Sequence, residues 1–209
     1  YFSKELDCVL VDMDVLEKQP YRLMAAGIAD AMAKHVEIAH HQATLEHGSV
    51  DCLGAKTLAN LVYRNFVENG YNVLHGKCKK KDVWDTVYLA ICQTGLISGI
   101  ARGRYQSALA HALYEEVRTL GLAQNMLHGE IVAVGMIAQE IYLENYQEAQ
   151  ELKDFLRSIK MPTFLEELGI PCGEENLRAF SRGKPAQRFL NGPEDEERFF
   201  NALCQISKK

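Results

Sequence analysis

Three polar residues, Asp30, His111 and His128, interrupt segments that are otherwise apolar or built of small residues. Asp30 lies in MAAGIADAMAKH, His111 in SALAHAL and His128 in NMLHGEIVAVG. A carboxylate in such surroundings is costly to remove from water unless a cation or several hydrogen-bond donors meet it. Carboxylate oxygens and imidazole nitrogens are also common ligands of catalytic zinc. The three residues could therefore share one divalent ion.

The spacing of the two histidines supports this interpretation. Between His111 and His128 lie Gly121 and the pair Gln124-Asn125, which predict a helix, a loop and a new helix that opens at His128. His128 would then lie in a first helical turn. The positive end of the helix dipole favours a neutral imidazole there, with a lone pair available to a metal.

Purely structural roles for these residues remain open. A single histidine on an apolar helix face is most often a hydrogen-bonded core residue, and Asp30 could be a helix N-cap. A second metal site is also conceivable, because Glu37 and His40 form one Glu-x-x-His pair near His41 and His47. A di-iron bundle needs two such pairs and two further carboxylates. We therefore assign these histidines to a solvated or packed helix face.

Four stretches follow one another along the sequence: residues 9–34, the SALAHAL motif, the LHGEIVAVGMIAQ motif and residues 161–170. Together they resemble the C-terminal domain of the metal-dependent (iron-containing) alcohol dehydrogenase superfamily, in particular its glycerol dehydrogenase branch. In that branch the metal is held by the Asp of a GIGD or GIAD motif, the first His of an AHA motif and the His of an HGE motif. The resemblance places these ligands at Asp30, His111 and His128.

The resemblance implies a nicotinamide-dependent dehydrogenase that oxidises a small alcohol, polyol or hydroxy acid, or reduces the matching carbonyl. Three protein ligands leave a fourth position open on a tetrahedral ion. An alcohol oxygen bound there has its pKa lowered, so that an alkoxide forms and expels hydride toward NAD or NADP. The expected cofactors are therefore one divalent metal and a nicotinamide dinucleotide.

Two positions depart from the patterns of related branches. Iron-using branches commonly add a His four residues after the Asp, where this chain has Lys34, so zinc is preferred and iron remains possible. Lys34 lies on the same helix face as Asp30 and is included among the predicted catalytic residues. It could pair with that carboxylate or meet an anionic substrate group. Tyr114 stands where the branch often has a second His, which leaves the substrate preference open.

The family's Gly-rich turn, which cradles the dinucleotide pyrophosphate, has no counterpart in this sequence. We therefore expect the chain to be the second half of a longer enzyme, inactive alone, with the coenzyme bound mainly by the other domain. Residues 1–19 are predicted to be a strand and linker of that nucleotide-binding domain, with the strand at residues 8–12. Residues 20–209 are predicted to form the helical metal-binding catalytic domain. No coenzyme-binding residue is assigned.

The predicted fold is all-α, a multi-helix domain like the C-terminal domain of dehydroquinate synthase-like proteins. The segment from Ile131 to Ile141 is apolar almost all round and is predicted to be the central helix. A 3.6-residue period also gives 104–119 a stripe that faces a core, made of Tyr105, Leu109, Ala112, Leu113 and Val117. The predicted helices are 20–47, 55–70, 81–100, 104–119, 129–144 and 146–159, with shorter ones near 163–168, 173–182 and 194–206.

Composition narrows the possible partners. The chain has 209 residues, 47% of them hydrophobic, which is enough for one substantial core. Its net charge is −5 and its basic residues are dispersed apart from 79–81, so nucleic acid is not an expected partner. We expect no membrane span, because no apolar run reaches about 20 residues. The expected partners are a small alcohol or carbonyl substrate, the nucleotide-binding domain and further copies in a homo-oligomer.

Cysteine usage and targeting signals indicate the compartment. The six cysteines are scattered without a Cys-x-x-Cys pair, which predicts reduced thiols packed in helical cores. No secretory signal precedes the predicted fold, so a cytoplasmic location is expected. Two further functions stay open. A dehydroquinate-synthase-like lyase shares the fold but has Glu in place of Asp30, and a non-enzymatic helical assembly domain would need no nucleotide-binding half.

Overall fold

The computed structural model describes residues 8–41, 50–101 and 107–208, and no strand occurs among them. The predicted all-α fold is confirmed. Eleven α-helices are described, together with a π-helical turn at Leu89–Gln93 and a 3-10 turn at Glu166–Leu168. The helices are α1 Met13–Leu16, α2 Tyr21–His40, α3 Val50–Leu74, α4 Lys80–Tyr88, α5 Thr94–Ile100, α6 Leu109–Thr119, α7 His128–Tyr142, α8 Tyr146–Ser158, α9 Glu174–Arg182, α10 Lys184–Gln187 and α11 Pro193–Gln205.

Helix α7 is the centre of the fold. Every residue from Gly129 to Glu140 is buried, and α2, α6, α8 and α11 pack around it. A helix that is apolar on all sides can bury its side chains only when other helices surround it. The predicted central role of residues 131–141 is confirmed. Helix α7 therefore sets the relative positions of α2 and α6.

Two glycines let α2 and α6 come unusually close to α7. A Cβ atom built on Gly129 would lie 2.0 Å from the carbonyl oxygen of Ala26 in α2. A Cβ atom on Gly135 would lie 2.7 Å from the carbonyl oxygen of Ala110 in α6. Both distances are far below van der Waals contact. Helix axes usually pack about 8–10 Å apart, and only glycine allows the backbones to approach like this.

A buried amide links the same three helices. Gln139 of α7 is fully buried, and its Oε1 accepts the Ala110 N–H at 3.1 Å. Its Nε2 donates to the Val36 carbonyl of α2 at 2.7 Å. The N–H of Ala110 belongs to the first turn of α6, where backbone donors have no partner inside the helix. The side chain of Gln139 thus satisfies one of these donors while it fixes α6 against α2.

The N-terminal segment differs from the prediction. Residues 8–12 have no regular secondary structure and are mostly exposed, so the predicted strand is wrong for this structure. A strand needs a neighbouring strand to complete its backbone hydrogen bonds, and none of the described residues supplies one. The chain turns instead into the short helix α1, whose first N–H groups are capped by the Asp12 carboxylate at 3.0 and 3.3 Å.

Several predicted helix boundaries shift. Helix α3 is longer than the predicted 55–70. The part of the predicted helix 20–47 beyond residue 41 lies outside the described residues. The same is true of Tyr105 in the predicted stripe of 104–119. Near 163–168 only the 3-10 turn forms, and it ends at Gly169, whose backbone is in the left-handed region that terminates helices. The four-residue helix α10 was not predicted, since it is too short for a periodic pattern.

One described helical stretch, Lys80–Ile100, is long and apolar enough to cross a membrane by length and composition. Core helices of globular proteins meet the same criteria, so this stretch is only weak evidence for a membrane span. That the chain has no membrane span stays a prediction. The π-turn in its middle packs against α2 and α3. All six cysteines are free, as predicted. Cys52 is buried in the core and Cys172 packs against it from a loop, so the predicted packing in helical cores is wrong for most of them.

The close approach at Gly129 yields a test. In Gly129→Ala the new methyl group would collide with the backbone of α2, and overpacking of this kind costs about 1–3 kcal/mol or more. We expect the free energy of unfolding, measured with urea, to fall by at least about 2 kcal/mol.

The matched control is Gly95→Ala. Gly95 is also helical, but a Cβ atom there would meet nothing within 4 Å. Replacement of an exposed helical glycine by alanine should raise the stability by about 0.5–1 kcal/mol. Equal effects of the two substitutions would show that close packing at Gly129 does not matter.

Candidate metal centre

The helices bring the three predicted ligands to one place. Asp30 lies in the middle of α2, His111 in the first turn of α6 and His128 is the first residue of α7. The predicted helix start at His128 is confirmed, whereas the alternative of Asp30 as an N-cap is wrong. The two close glycine contacts fall beside these positions, because Ala26 precedes Asp30 by one helical turn and Ala110 precedes His111 by one residue.

The ligand atoms are close together. The Nε2 atom of His128 lies 2.9 Å from Oδ1 of Asp30, and Nε2 of His111 lies 3.4 Å from the same oxygen. The two Nε2 atoms are 3.3 Å apart. Ligands bound to a tetrahedral zinc ion at about 2.0–2.1 Å are separated by about 3.3 Å. Among the described residues, this is the one group of three or more His, Cys, Asp or Glu side chains placed to share an ion.

The surroundings of the Asp30 carboxylate also suit a bound cation. Oδ1 of Asp30 is buried, and although both imidazoles are near, it has no partner with hydrogen-bond geometry. A buried carboxylate oxygen without a partner is costly, and a cation between Asp30, His111 and His128 would satisfy it. The side chains of Asp30 and His128 are 43% and 39% exposed, so the centre opens to solvent on one side. That side leaves room for a further ligand.

A carboxylate behind His111 sets the orientation of its ring. Glu37 is fully buried, and its Oε2 accepts the Nδ1–H of His111 at 2.7 Å. Its Oε1 accepts the backbone N–H groups of Ala108 and His111 at 2.7 and 3.0 Å. The bond to Nδ1 fixes the tautomer in which the lone pair of Nε2 points into the centre. Glu37 therefore positions one ligand and caps the first turn of α6.

Sequence reasoning did not identify this role of Glu37. The prediction for the neighbouring histidines was better: His40 packs on Tyr142 and Phe189, and His41 contacts the Ser107 carbonyl, as expected of a packed face. His47 lies outside the described residues. A signal for Glu37 existed, because a carboxylate seven residues after Asp30 lies on the same helix face two turns on.

The charges of the centre act on each other. Burial raises the pKa of Asp30, but its attraction to the imidazoles of His111 and His128 outweighs this and holds the pKa below its ordinary value. Burial lowers the pKa of His111, but its contacts with Asp30 and Glu37 outweigh this and raise the pKa to about 9. The negative charge of the two carboxylates thus draws a positive charge into the centre.

The ring of His128 is fixed by packing. Tyr114, one turn beyond His111 in α6, meets the His128 ring edge to face at a centroid distance of 4.1 Å. The guanidinium of Arg118 lies 5.5 Å from the centroid of the Tyr114 ring. It also donates to the carbonyls of Ala123 and Met126 at 2.8 and 2.6 Å, which holds the loop before His128.

An ion pair fixes the start of α7 on α2. Glu130 accepts two hydrogen bonds from the Arg22 guanidinium, both at 2.6 Å, and one from the Leu127 N–H at 2.7 Å. Burial raises the pKa of Glu130, but the contact with Arg22 outweighs this and lowers it. Bidentate pairs of this kind constrain geometry as well as charge. The pair therefore holds the helix start that carries His128 against the helix that carries Asp30.

The remaining predicted site residue, Lys34, is half buried in α2 one turn after Asp30. Its positive charge opposes the rise in the pKa of His111, which places it near the centre. The neighbouring His35 does not take part, because its ring packs on Tyr63 at a centroid distance of 4.6 Å. The catalytic role predicted for Lys34 stays a prediction.

No protein-family model matches the chain. It is 29% identical over 175 residues to glycerol dehydrogenase of Thermotoga maritima, covering 81% of this chain and 48% of that protein. It is also 29% identical over 180 residues to glycolaldehyde reductase of Halobacterium salinarum, covering 84% of this chain and 49% of that protein. This chain therefore spans about half the length of these relatives.

A solved structure has the same fold. The crystal structure of glycerol dehydrogenase from Schizosaccharomyces pombe superimposes with a TM-score of 0.73 over 93% of this chain and 52% of that chain, at 22% sequence identity. The predicted resemblance to the glycerol dehydrogenase branch of the iron-containing alcohol dehydrogenase superfamily is confirmed by these comparisons. The fold is that of the helical part of such a dehydrogenase.

The position of Glu37 yields a test. In Glu37→Gln the side chain keeps its shape but loses the charge that holds the proton on Nδ1 of His111. Removal of such a supporting partner typically weakens metal binding 10–100-fold. We expect a loss of this size in zinc affinity, measured by competition with a chromophoric chelator.

The matched control is Glu140→Gln, which changes a buried glutamate of α7. The Glu140 carboxylate accepts a hydrogen bond from the Asn145 side-chain amide at 2.8 Å. Glu140 lies about 18 Å along the helix from His128. The zinc affinity of this variant should equal that of the wild type. Unchanged affinity in Glu37→Gln would show that Glu37 supports only the fold.

Proposed function

We propose that this chain is the metal-binding helical half of a nicotinamide-dependent dehydrogenase. It oxidises a small alcohol, polyol or hydroxy acid, or reduces the matching carbonyl. The convergence of Asp30, His111 and His128 on a space that opens to solvent carries the proposal. The names of the relatives, a glycerol dehydrogenase and a glycolaldehyde reductase, support an oxidoreductase that acts on small hydroxylated molecules.

Each residue of the centre has its own task in this reaction. Asp30, His111 and His128 hold one divalent ion, for which zinc is preferred and iron remains possible. Such an ion lowers the pKa of an alcohol oxygen beside it and, in the reverse direction, polarises a carbonyl. Glu37 keeps the proton of His111 on Nδ1 so that Nε2 faces the ion. Tyr114 holds the ring of His128 against the same point.

The hydride acceptor is NAD or NADP, bound mainly by a nucleotide-binding domain outside these residues. None of the described residues forms a strand followed by a glycine turn and a helix, the arrangement that cradles a pyrophosphate. A cleft between two domains would hold the coenzyme and the substrate in reacting geometry. We propose that the chain alone turns over nothing and that the complete protein is a cytoplasmic homo-oligomer.

Zinc binding tests the proposal directly. Titration of the metal-free chain should show one zinc ion bound per chain, and Asp30→Asn should lower the affinity at least about 100-fold because an anionic ligand is lost. Zinc should also raise the melting temperature of the wild type, since a ligand that binds only the folded state stabilises it. A wild type that binds no zinc or iron, or binds it as tightly as Asp30→Asn, contradicts the proposed site.

A separate prediction concerns Lys34. We propose that its ammonium group meets an anionic substituent of the substrate, since a compact point charge suits a carboxylate or phosphate. In the complete two-domain enzyme, Lys34→Met should lower kcat/KM for a keto acid about tenfold or more, equivalent to about 1.4 kcal/mol, relative to a neutral ketone of similar size. Equal losses on both substrates would leave Lys34 only a pairing role toward Asp30.

A further inference from the structure

Asp30 also borders an apolar slot. The slot has a volume of about 160 Å³, and its walls come from α1, the first half of α2, the end of α4 and the π-turn. Among its lining residues besides Asp30, only Gln19 and Thr86 have polar side chains, and Thr86 is almost fully buried. A pocket of this composition offers few partners to hydroxyl groups. It is suited to an apolar group placed next to the metal centre.

One glycine on the slot wall, Gly27, is required neither by its backbone conformation nor by close packing. Gly27 lies inside helix α2, where glycine costs about 1 kcal/mol relative to alanine. Its backbone is not in the left-handed region, and a Cβ atom there would meet nothing within 4 Å. This contrasts with Gly129, where packing forbids a side chain. Gly27 instead keeps space free one turn before Asp30.

The opposite wall is irregular and apolar. The π-turn Leu89–Gln93 brings Ala90 and Ile91 to the slot, and π-turns of this kind frequently mark functional sites. Two large side chains at the slot, Leu23 and Ile91, are 46% and 41% exposed. A ligand in the slot would remove this apolar surface from water. Burial of apolar surface on both ligand and wall would then favour binding.

We propose that the slot receives an apolar arm of the substrate while the reacting oxygen lies at Asp30, His111 and His128. Apolar cavities of about 150 Å³ hold a benzene-sized ligand, so the arm is an alkyl or aryl group of up to about that size. Substrates with such an arm, for example 1,2-alkanediols, are bound in preference to glycerol. This inference rests on the proposed function and specifies its substrate class.

A ligand series on the zinc-loaded chain tests the slot. Dissociation constants are measured by NMR titration for glycerol, 1,2-propanediol, 1,2-butanediol and 1,2-hexanediol, with the methyl resonances of Met24, Ala90 and Ile91 assigned as reporters. Each methylene buried should strengthen binding up to about fourfold. The reporter methyl groups should shift with the longer diols and stay unchanged with glycerol.

Two glycine variants make the test specific. Gly27→Leu fills the slot and should remove the dependence of the affinity on the chain length of the diol. Gly95→Leu, in an equally open helical position outside the slot, should keep the full dependence. If Gly27→Leu does not fold, Gly27→Ala should still weaken 1,2-hexanediol binding at least about threefold.

The outcomes separate the two claims. Zinc uptake with glycerol bound as tightly as 1,2-hexanediol, and with no shift at Met24 or Ile91, would overturn the slot and leave the proposed function intact. An unaltered length dependence in a folded Gly27→Leu would do the same. A chain that binds no metal at all would overturn both. Selective binding of longer diols that is lost in Gly27→Leu would establish the slot as the apolar subsite.

Discussion

The near contact of helix backbones around α7 is the constraint on which the site depends. Three ligands that lie 81 and 17 residues apart along the chain can share an ion only if α2, α6 and the start of α7 are held within a few ångströms. Gly129 permits this on the α2 side and Gly135 on the α6 side. A side chain at either position would push a ligand-bearing helix away. The packing of the core and the geometry of the site are therefore the same property.

Buried polar groups give this packing its precision. Gln139 bridges α2 and α6, because its amide donates to Val36 and accepts from Ala110. Glu37 joins α2 to the first turn of α6, because both of its carboxylate oxygens accept hydrogen bonds from that turn. An unsatisfied buried group would cost about 1–3 kcal/mol, so any slip of one helix along another is penalised. Apolar contacts alone tolerate such slips. Glu37 also orients His111, so one side chain serves both the fold and the candidate metal centre.

The sequence predicted the cluster of candidate ligands better than the elements around it. Asp30, His111 and His128 stand out because they are polar in apolar segments, and their motifs resemble those of the glycerol dehydrogenase branch. Glu37 shares a helix face with Asp30 two turns on, but that signal does not reveal its bonds to His111, since those depend on where α6 docks. The strand at 8–12 was wrong because β pairing requires a partner that the described residues do not contain. Periodicity reports which face of a helix is buried, but not which atoms meet across that face.

The central claim is that one ion is bound by one carboxylate and two imidazoles. X-ray absorption spectroscopy on the zinc-loaded chain measures this most directly. We expect a first shell of nitrogen and oxygen ligands at about 2.0–2.2 Å, with the multiple-scattering signature of two imidazoles. In Asp30→Asn that shell should change or vanish. Sulfur ligands at about 2.3 Å, which would place the ion on cysteines instead, or an unaltered shell in Asp30→Asn, would contradict it.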